Sequence, residues 1–407
     1  MKVCFETFGC RLSRAEALED EAKYLARGWE RTESHADAQL IVVRGCSVTA
    51  RAQKDCERLI DHIKRKYPFK RVLVTGCLPS ADKGYTLRTG SAQPGTAGAE
   101  TAPPVPTRTA RAYLKVQDGC SGLCTFCIVP TFRGTSVSVP FDEVLDKARR
   151  FIAAGYREIV VTGCNLSLYA SGGKRLPELL AALAELGTTE RTPVPRQPLD
   201  GCRIRLGSLE PSPVASDVLK VMAAHPNICR FLHIPVQSGS MRILTAMRRP
   251  YKVQDVDTLV REARDLMPGI GIGCDLMTGF PDESDIDQLA TLGMMRRLLF
   301  SKAHVFPYSE RPGTVAAALP HAVPKEIRSA RARELAKMAD GDRSLFARRF
   351  KGRVVEIVVE DEKTVAGWTS EYLWCRVGEA RKGVKRKDLV RILVREAEGH
   401  QLVGELV

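Results

Sequence analysis

Leu114–Gly134 reads LKVQDGCSGLCTFCIVPTFRG and carries Cys120, Cys124 and Cys127 in a C-x3-C-x2-C spacing. Three thiols in one loop can converge on a single soft metal centre, and iron–sulfur clusters are held by cysteine thiolates at short spacings of this kind. A four-iron cube with three protein ligands keeps one iron corner open to a small chelating molecule. Two other uses of such cysteines fit less well. A structural zinc site needs a fourth Cys or His, usually from a second closely spaced pair, and no such pair follows. A thioredoxin-like pair would use Cys124 and Cys127 alone and leave Cys120 without a role.

Downstream of this loop, strand-like and helix-like stretches alternate. The strands expected from Tyr113 onward are Tyr113–Gln117, Glu158–Thr162, Arg203–Leu206, Phe231–Val236, Gly271–Met277 and Lys302–Phe306. Helical patterns such as Asp142–Ala154, Pro213–Ala224 and Gln254–Leu266 separate them. Repeated βα units imply a parallel sheet or barrel, and six are too few for the eight-stranded closure. A partly open six-unit βα barrel is therefore expected over residues 111–350, with its site at the C-terminal strand ends. Those ends carry Cys164 and Asn165, Ser208 and Glu210, Gln237 and Ser238, Asp275, and Tyr308 and Arg311. As a set they suit a polar pocket; singly, each is also an ordinary cap or turn residue. Cys164 is read as a core thiol.

Upstream, residues 1–80 read as a small α/β domain: strands Lys2–Phe8, Gln39–Val43 and Arg71–Thr75, with helices Arg14–Arg27 and Ala50–Lys66. A Gly-Cys pair or its near equivalent closes each strand, at Gly9-Cys10, Gly45-Cys46 and Gly76-Cys77. Strand ends of a parallel sheet share one edge, where ligands commonly bind. Three thiols distant in sequence could meet there, or each could be a buried apolar cysteine. Residues 81–110 are rich in Pro, Gly, Ala and Thr and read as a linker.

At the other end, residues 327–350 form an Arg-rich helix, and residues 351–407 change to short β runs, Val354–Glu360, Leu373–Val377, Asp388–Val394 and Gln401–Leu406, that suggest a small β-barrel. One turn of it holds Arg381, Lys382, Lys385, Arg386 and Lys387, with Trp368, Tyr372 and Trp374 nearby. Cations with aromatic neighbours suit a phosphate backbone and stacked bases; a solvated loop is the alternative.

Composition sets the frame for these parts. The 407 residues are enough for two or three domains, and 44% hydrophobic with 27% charged residues is ordinary for a soluble chain. No apolar run approaches the ~18 residues of a membrane span, and MKVCFETFGC lacks the apolar core of a secretory signal, so a cytoplasmic protein is expected. Thirteen cysteines, an odd number, argue against a disulfide scaffold and for a reducing compartment. A net charge of +14 favours a polyanionic partner, with nucleic acid foremost.

The triad loop resembles the radical S-adenosylmethionine (SAM) superfamily, with Phe126 in the aromatic slot before the last cysteine. That resemblance implies a 4Fe-4S cluster on Cys120, Cys124 and Cys127 whose open iron is chelated by SAM, with Phe126 against the adenine. The phrases TFGCRLSRAE, VVRGCSVTARA, VTGCLPS, HIPVQSGSMRILTAMRRPY and GFPDE through FPYSERPGT further resemble the methylthiotransferase family. This implies a second 4Fe-4S cluster on Cys10, Cys46 and Cys77 that carries the sulfur to be inserted. It also implies SAM contacts at Gly163, Asn165, Ser208 and Gln237, and a TRAM-like RNA-binding barrel at the C-terminus. Ser13 and Arg44-Gly45 depart from the family's usual Asn and Asn-Thr.

RGTSVSVP and TFGCRL look most like the members acting on C2 of N6-threonylcarbamoyladenosine at position 37, in the tRNA anticodon loop. The expected electron donor is a flavodoxin or ferredoxin, and the expected state a monomer. Isopentenyladenosine in tRNA, an aspartate of a ribosomal protein, or an RNA-binding radical SAM protein without sulfur insertion are the other readings.

Overall fold

The structure, a computed structural model, describes residues 1–78, 86–88, 109–188, 201–378 and 383–407. The first layer is a parallel sheet in the order β2-β1-β3-β4-β5, built from β1 (Lys2–Thr7), β2 (Glu30–Arg31), β3 (Leu40–Cys46), β4 (Arg71–Cys77) and β5 (Thr86–Arg88). β3 is buried throughout and reads LIVVRGC, the continuous run of a parallel strand covered on both faces. The intervening helices are α1 (Arg11–Ala26) and α2 (Ala50–Lys66). α2 starts where Thr49 accepts a hydrogen bond from Ala52 N–H, and it buries Cys56, Ile60 and Ile63 on one face. β5 pairs with β4 inside the stretch read as linker, so the sheet runs beyond residue 80. Most of that stretch lies outside the described residues.

The central part has six parallel strands in two groups. β6 (Ala112–Lys115) leads to β7 (Gln117–Asp118), which pairs with β8 (Val137–Ser138) as a ribbon that pinches off the triad loop; α3 (Val129–Arg133) lies inside that loop. After α4 (Phe141–Ala153) and β9 (Glu158–Thr162) come a hairpin, β10 (Ala170–Ser171) with β11 (Lys174–Arg175), and then α5 (Leu176–Gly187). β12 (Arg203–Leu206) completes the first group, β12-β9-β6, and is followed by α6 (Pro213–Ala224). The second group, β13-β14-β15, comprises β13 (Phe231–Gln237), β14 (Gly271–Thr278) and β15 (Lys302–Pro307), with α7 (Met241–Ala246), α8 (Val253–Leu266) and α9 (Asp285–Leu298) between them.

Bridges at Ile204–Ile228 and Ser208–His233 join the two groups. The expected partly open six-unit barrel is therefore what forms. α1 packs Ala15 and Leu18 against Tyr113 and Val160 of β6 and β9, so the N-terminal layer leans directly on the barrel.

α10 (Lys325–Arg348) runs from the barrel to a closed five-stranded barrel in the order β16-β17-β18-β20-β19. Its strands are β16 (Val354–Asp361), β17 (Ala366–Thr369), β18 (Trp374–Val377), β19 (Leu389–Glu398) and β20 (Gln401–Leu406). β17 was not expected from the sequence. The reason is Gly367, where a Cβ would lie 1.9 Å from the Val358 carbonyl oxygen: a glycine that permits close strand approach reads as a turn.

This small barrel docks beneath the central one. Glu158, fully buried at the start of β9, is 2.6 Å from both Arg203 and Arg205. The two guanidiniums also donate to the carbonyls of Glu356, Trp368, Thr369 and Ser370. The dock corrects the stacking role expected of the aromatic residues. Tyr372 stacks on Phe231 at 4.8 Å and on Trp368 at 4.6 Å, so both rings are spent on the barrel floor, with Trp374 edge-on to Trp368 at 5.2 Å.

Candidate functional site: two thiol triads at one barrel mouth

The N-terminal sheet places Cys46 and Cys77 side by side, in register at the ends of β3 and β4. Cys10 caps the N-terminus of α1, one residue past Gly9, whose φ of +106° suits glycine. A Cβ at Gly9 would lie 3.0 Å from Cys46 Cβ and 3.4 Å from its Sγ, so the turn is what lets the three thiols approach. Burial pushes the thiols of Cys46 and Cys77 up; Cys46 also feels Cys10 and Cys77, while at Cys77 Arg133 opposes the rise and Cys10 adds to it. Ser47 and Thr75, beside them in sequence, bury hydroxyl oxygens without partners among the described residues. Three free thiols brought to one sheet edge fit a soft metal group by donor type.

The departures at Arg44-Gly45 also find a physical reason. Arg44 turns back to pair with Glu16 at 2.7 Å and with Asp20, leaving the cysteines clear. Gly45 makes room for Leu78: a Cβ there would fall 1.7 Å from Leu78 Cδ1. Ser13 sits with its hydroxyl 3.8 Å from Cys10 Sγ.

The second triad hangs over the same mouth. Cys120 Sγ accepts from Gly122 N–H at 3.3 Å, and a Cβ on Gly122 would crowd that sulfur at 3.1 Å. Burial raises Cys120 and carries Cys127 up to about 11. Arg249 donates to Cys124 Sγ at 3.0 Å, to the Tyr251 hydroxyl at 2.8 Å, and to Glu210. These three thiols, too, are unpaired and suit a cluster by donor type.

The expected SAM contacts fall around this mouth with unequal freedom. Gln237, at φ +70°, buries its Oε1 without a partner among the described residues, an acceptor left for a ligand. Gly163 has no room for a side chain, since a Cβ would meet Gln117 Oε1 at 2.8 Å. Asn165 donates to Glu210 at 3.0 Å and accepts from Ser167 N–H, while Ser208 is exposed. Phe126 packs with Ile243, Met247 and Phe280.

Cys164 is not a core thiol. It is half-buried at the mouth, with Sγ 3.7 Å from Asp118 Oδ1. Of the basic turn, Lys385 and Arg386 are exposed, and Lys387 lies over the Tyr156 ring at 3.8 Å, spent on the dock. Arg381 and Lys382 lie outside the described residues.

The N-terminal layer closes over the mouth through direct contacts. Ala50 N–H donates to Ser309 Oγ at 3.0 Å, and Arg311 pairs with Gln53. Arg133, at the end of α3, donates to Cys77 Sγ at 3.0 Å. Sequence reasoning singled out neither Arg133 nor Arg249. The only signal for them was that each lies near a cysteine-bearing or strand-end phrase.

A family profile described as Radical SAM superfamily matches residues 114–294, and one described as Uncharacterized protein family UPF0004 matches residues 2–93. The tRNA-2-methylthio-N(6)-dimethylallyladenosine synthase of Chlorobium limicola is 30% identical, over 99% of this chain and 97% of that protein. The threonylcarbamoyladenosine tRNA methylthiotransferase MtaB of Bacillus subtilis is 29% identical, over 91% and 89%. The same-named enzyme of Thermotoga maritima is 30% identical, over 88% and 86%.

Among solved structures, the radical SAM methyltransferase TsrM from Kitasatospora setae aligns with a TM-score of 0.52 at 13% identity, covering 78% of this chain and 77% of that one. That likeness concerns the fold. The chain belongs to the radical SAM methylthiotransferase family. It is an enzyme, and its cofactors are SAM and two 4Fe-4S clusters.

Proposed function

We propose that this enzyme transfers a methylthio group to C2 of N6-threonylcarbamoyladenosine at position 37, in the anticodon loop of tRNA. The observation that carries methylthio transfer is the placement of two thiol triads at one barrel mouth, linked through Arg133. Cys120, Cys124 and Cys127 would hold the cluster that binds SAM, and Cys10, Cys46 and Cys77 the second cluster. When bound, the first supplies a radical from SAM and the second supplies the sulfur. The chain's own side chains arrange the rest. Arg249 neutralises charge at Cys124, and Gln237 offers a buried acceptor to SAM, beside Gly163, Asn165, Ser208 and Phe126. A base in a single-stranded loop can be drawn into such a mouth without opening a duplex.

The tRNA-modifying relatives and the net charge of +14 support an RNA substrate. Exposed Lys385 and Arg386 on the C-terminal barrel would meet its backbone, with Arg381, Lys382 and Lys387 in the same turn. The runs TFGCRL and RGTSVSVP and the MtaB relatives favour the threonylcarbamoyl base. Dimethylallyladenosine is the second reading, because a relative of that name and an MtaB relative both match at 30% identity. No described helix is long and apolar enough to cross a membrane. A cytoplasmic monomer reduced by a flavodoxin or ferredoxin, divided near residues 110 and 350, completes the reading.

The test supplies the reconstituted enzyme with tRNA bearing either base and reads the nucleosides by mass spectrometry. Product from the threonylcarbamoyl tRNA alone is expected. Product from the dimethylallyl tRNA alone would assign the second reading.

A further inference from the structure

Arg133 touches both halves of the site. Its side chain is only 7% exposed, and it is the last residue of α3, the helix that follows Cys127. Nη1 and Nη2 reach the two carboxylate oxygens of Glu16 on α1 at 2.8 and 3.0 Å, a bidentate fork. Nη1 also reaches Asp118 Oδ1, at the base of the triad loop, at 2.9 Å. With the outer nitrogens held by Glu16 from one side and Asp118 from the other, the N–H on Nε points at Cys77 Sγ at 3.0 Å.

Two carboxylates already neutralise the buried guanidinium. The third contact, to sulfur, is the one that asks for a reason. The other triad shows the same device: Arg249, held by Glu210 and Tyr251, donates to Cys124 Sγ at 3.0 Å. Each triad thus has one sulfur facing a buried guanidinium that carboxylates hold in place.

A hydrogen bond to a ligand sulfur, and a nearby positive charge, favour the more negative, reduced form of an iron–sulfur centre, and such bonds are a principal control on its potential. We propose that Arg133 is a positioning residue that clamps the triad loop against the strand-end cysteines and raises the reduction potential of the centre they hold through its bond to Cys77. This rests on the assignment of Cys10, Cys46 and Cys77 as ligands. Arginine suits the task because its planar fork serves Glu16, Asp118 and the sulfur together; a lysine presents a single point charge.

The test uses the full chain with Cys120, Cys124 and Cys127 each replaced by Ala, so that any cluster present is the strand-end one. It compares Arg133, Arg133→Lys and Arg133→Gln after anaerobic reconstitution. Iron content, release of iron to a chelator, and the midpoint potential of the one-electron couple by EPR-monitored titration are read. The expected result is about four irons in the parent, a lower potential and about tenfold faster iron release in Arg133→Gln, and Arg133→Lys between the two. Equal potentials and equal release in all three overturn the proposal while leaving the ligand assignment standing. A parent that binds no iron overturns both. If Arg133→Gln fails to fold, Arg133→Lys, which keeps a cation opposite Glu16, decides: a potential equal to the parent's overturns the proposal.

Discussion

The two thiol triads serve one mouth but are built in opposite ways. Cys120, Cys124 and Cys127 lie within one loop pinched off by the β7–β8 ribbon, so a short piece of chain supplies the set. Cys10, Cys46 and Cys77 come from three strand ends and meet only because the sheet places β1, β3 and β4 side by side. The first site depends on local spacing and the second on topology. A loop can tolerate change around it, whereas a set of strand ends is only as good as the sheet that holds it. Arg133 and Arg249 then give both sites the same finish, a guanidinium on one sulfur.

The sharpest way to break this comparison is to remove one ligand from each. Cys120→Ala is expected to abolish both cleavage of SAM to 5′-deoxyadenosine and methylthiolation of tRNA, to below detection by mass spectrometry. Cys46→Ala is expected to abolish methylthiolation equally but to keep SAM cleavage. Each single variant should lose about half of the roughly eight irons that two cubane clusters hold. Loss of SAM cleavage in Cys46→Ala, with iron still at four, would show that the two sites do not divide the work as proposed.

A smaller effect tests topology against spacing. Gly9→Ala must adopt a positive φ and place its Cβ 2.9 Å from Ser13 Oγ and 3.0 Å from Cys46 Cβ. The backbone cost alone is about 1–2 kcal/mol, before the contacts are relieved. Gly122 has no positive φ, and its Cβ would press only on a sulfur at the end of a side chain, at 3.1 Å. Gly9→Ala should therefore lower the denaturation midpoint and deplete strand-end iron, while Gly122→Ala changes the midpoint by less than half as much. Equal midpoints for the two variants would sink the distinction.

The same contrast explains what could be read in advance. Strands Glu158–Thr162 and Arg203–Leu206 lie where their apolar, β-branched runs put them, and the six βα units gave the barrel. The loop triad was legible because all its thiols sit within eight residues. For Cys10, Cys46 and Cys77 only the strand-end positions were legible, because convergence is a property of strand order. Arg133 and Arg249 were invisible as partners: Glu16 is 117 residues from Arg133, and Cys124 is 125 from Arg249. Trp368 and Tyr372 misled for another reason. An aromatic ring beside cations suits a base or a barrel floor equally, and only the packing of Tyr372 on Phe231 decides between them.

That floor provides the smallest effect and a control for the loop triad, because it lies at the N-terminal ends of the central strands; Arg11, next to Cys10, reaches over the Tyr372 ring at 5.4 Å. Burial alone would raise Tyr372, but Arg11, Lys302, Arg111 and Arg205 around it bring its hydroxyl down to about 7. Lys302 lies 4.1 Å from the centre of the Tyr372 ring, and burial lowers its ammonium to about 8 against the pull of Tyr372. Both shifts have the same sign in linkage terms. Between pH 7 and 10 the unfolded chain keeps a proton on tyrosine that the folded chain has released, and between pH 8 and 10.5 the same holds for lysine. Stability therefore rises with pH through this window, and the tyrosine share is lost as pH falls through 7. The gain is read as a rise in denaturation midpoint by tryptophan fluorescence, since Trp368 and Trp374 report on the floor. Tyr372→Phe should remove the rise between pH 7 and 8, leaving the part above 8 that Lys302 supplies, with the iron content of both triads unchanged. A rise between pH 7 and 8 that survives Tyr372→Phe would mean that the floor does not hold a tyrosinate, since Lys302 contributes only above about 8. Iron loss in that variant would mean that the two ends of the barrel are not independent, and the contrast between the triads would then have to be drawn with the floor included.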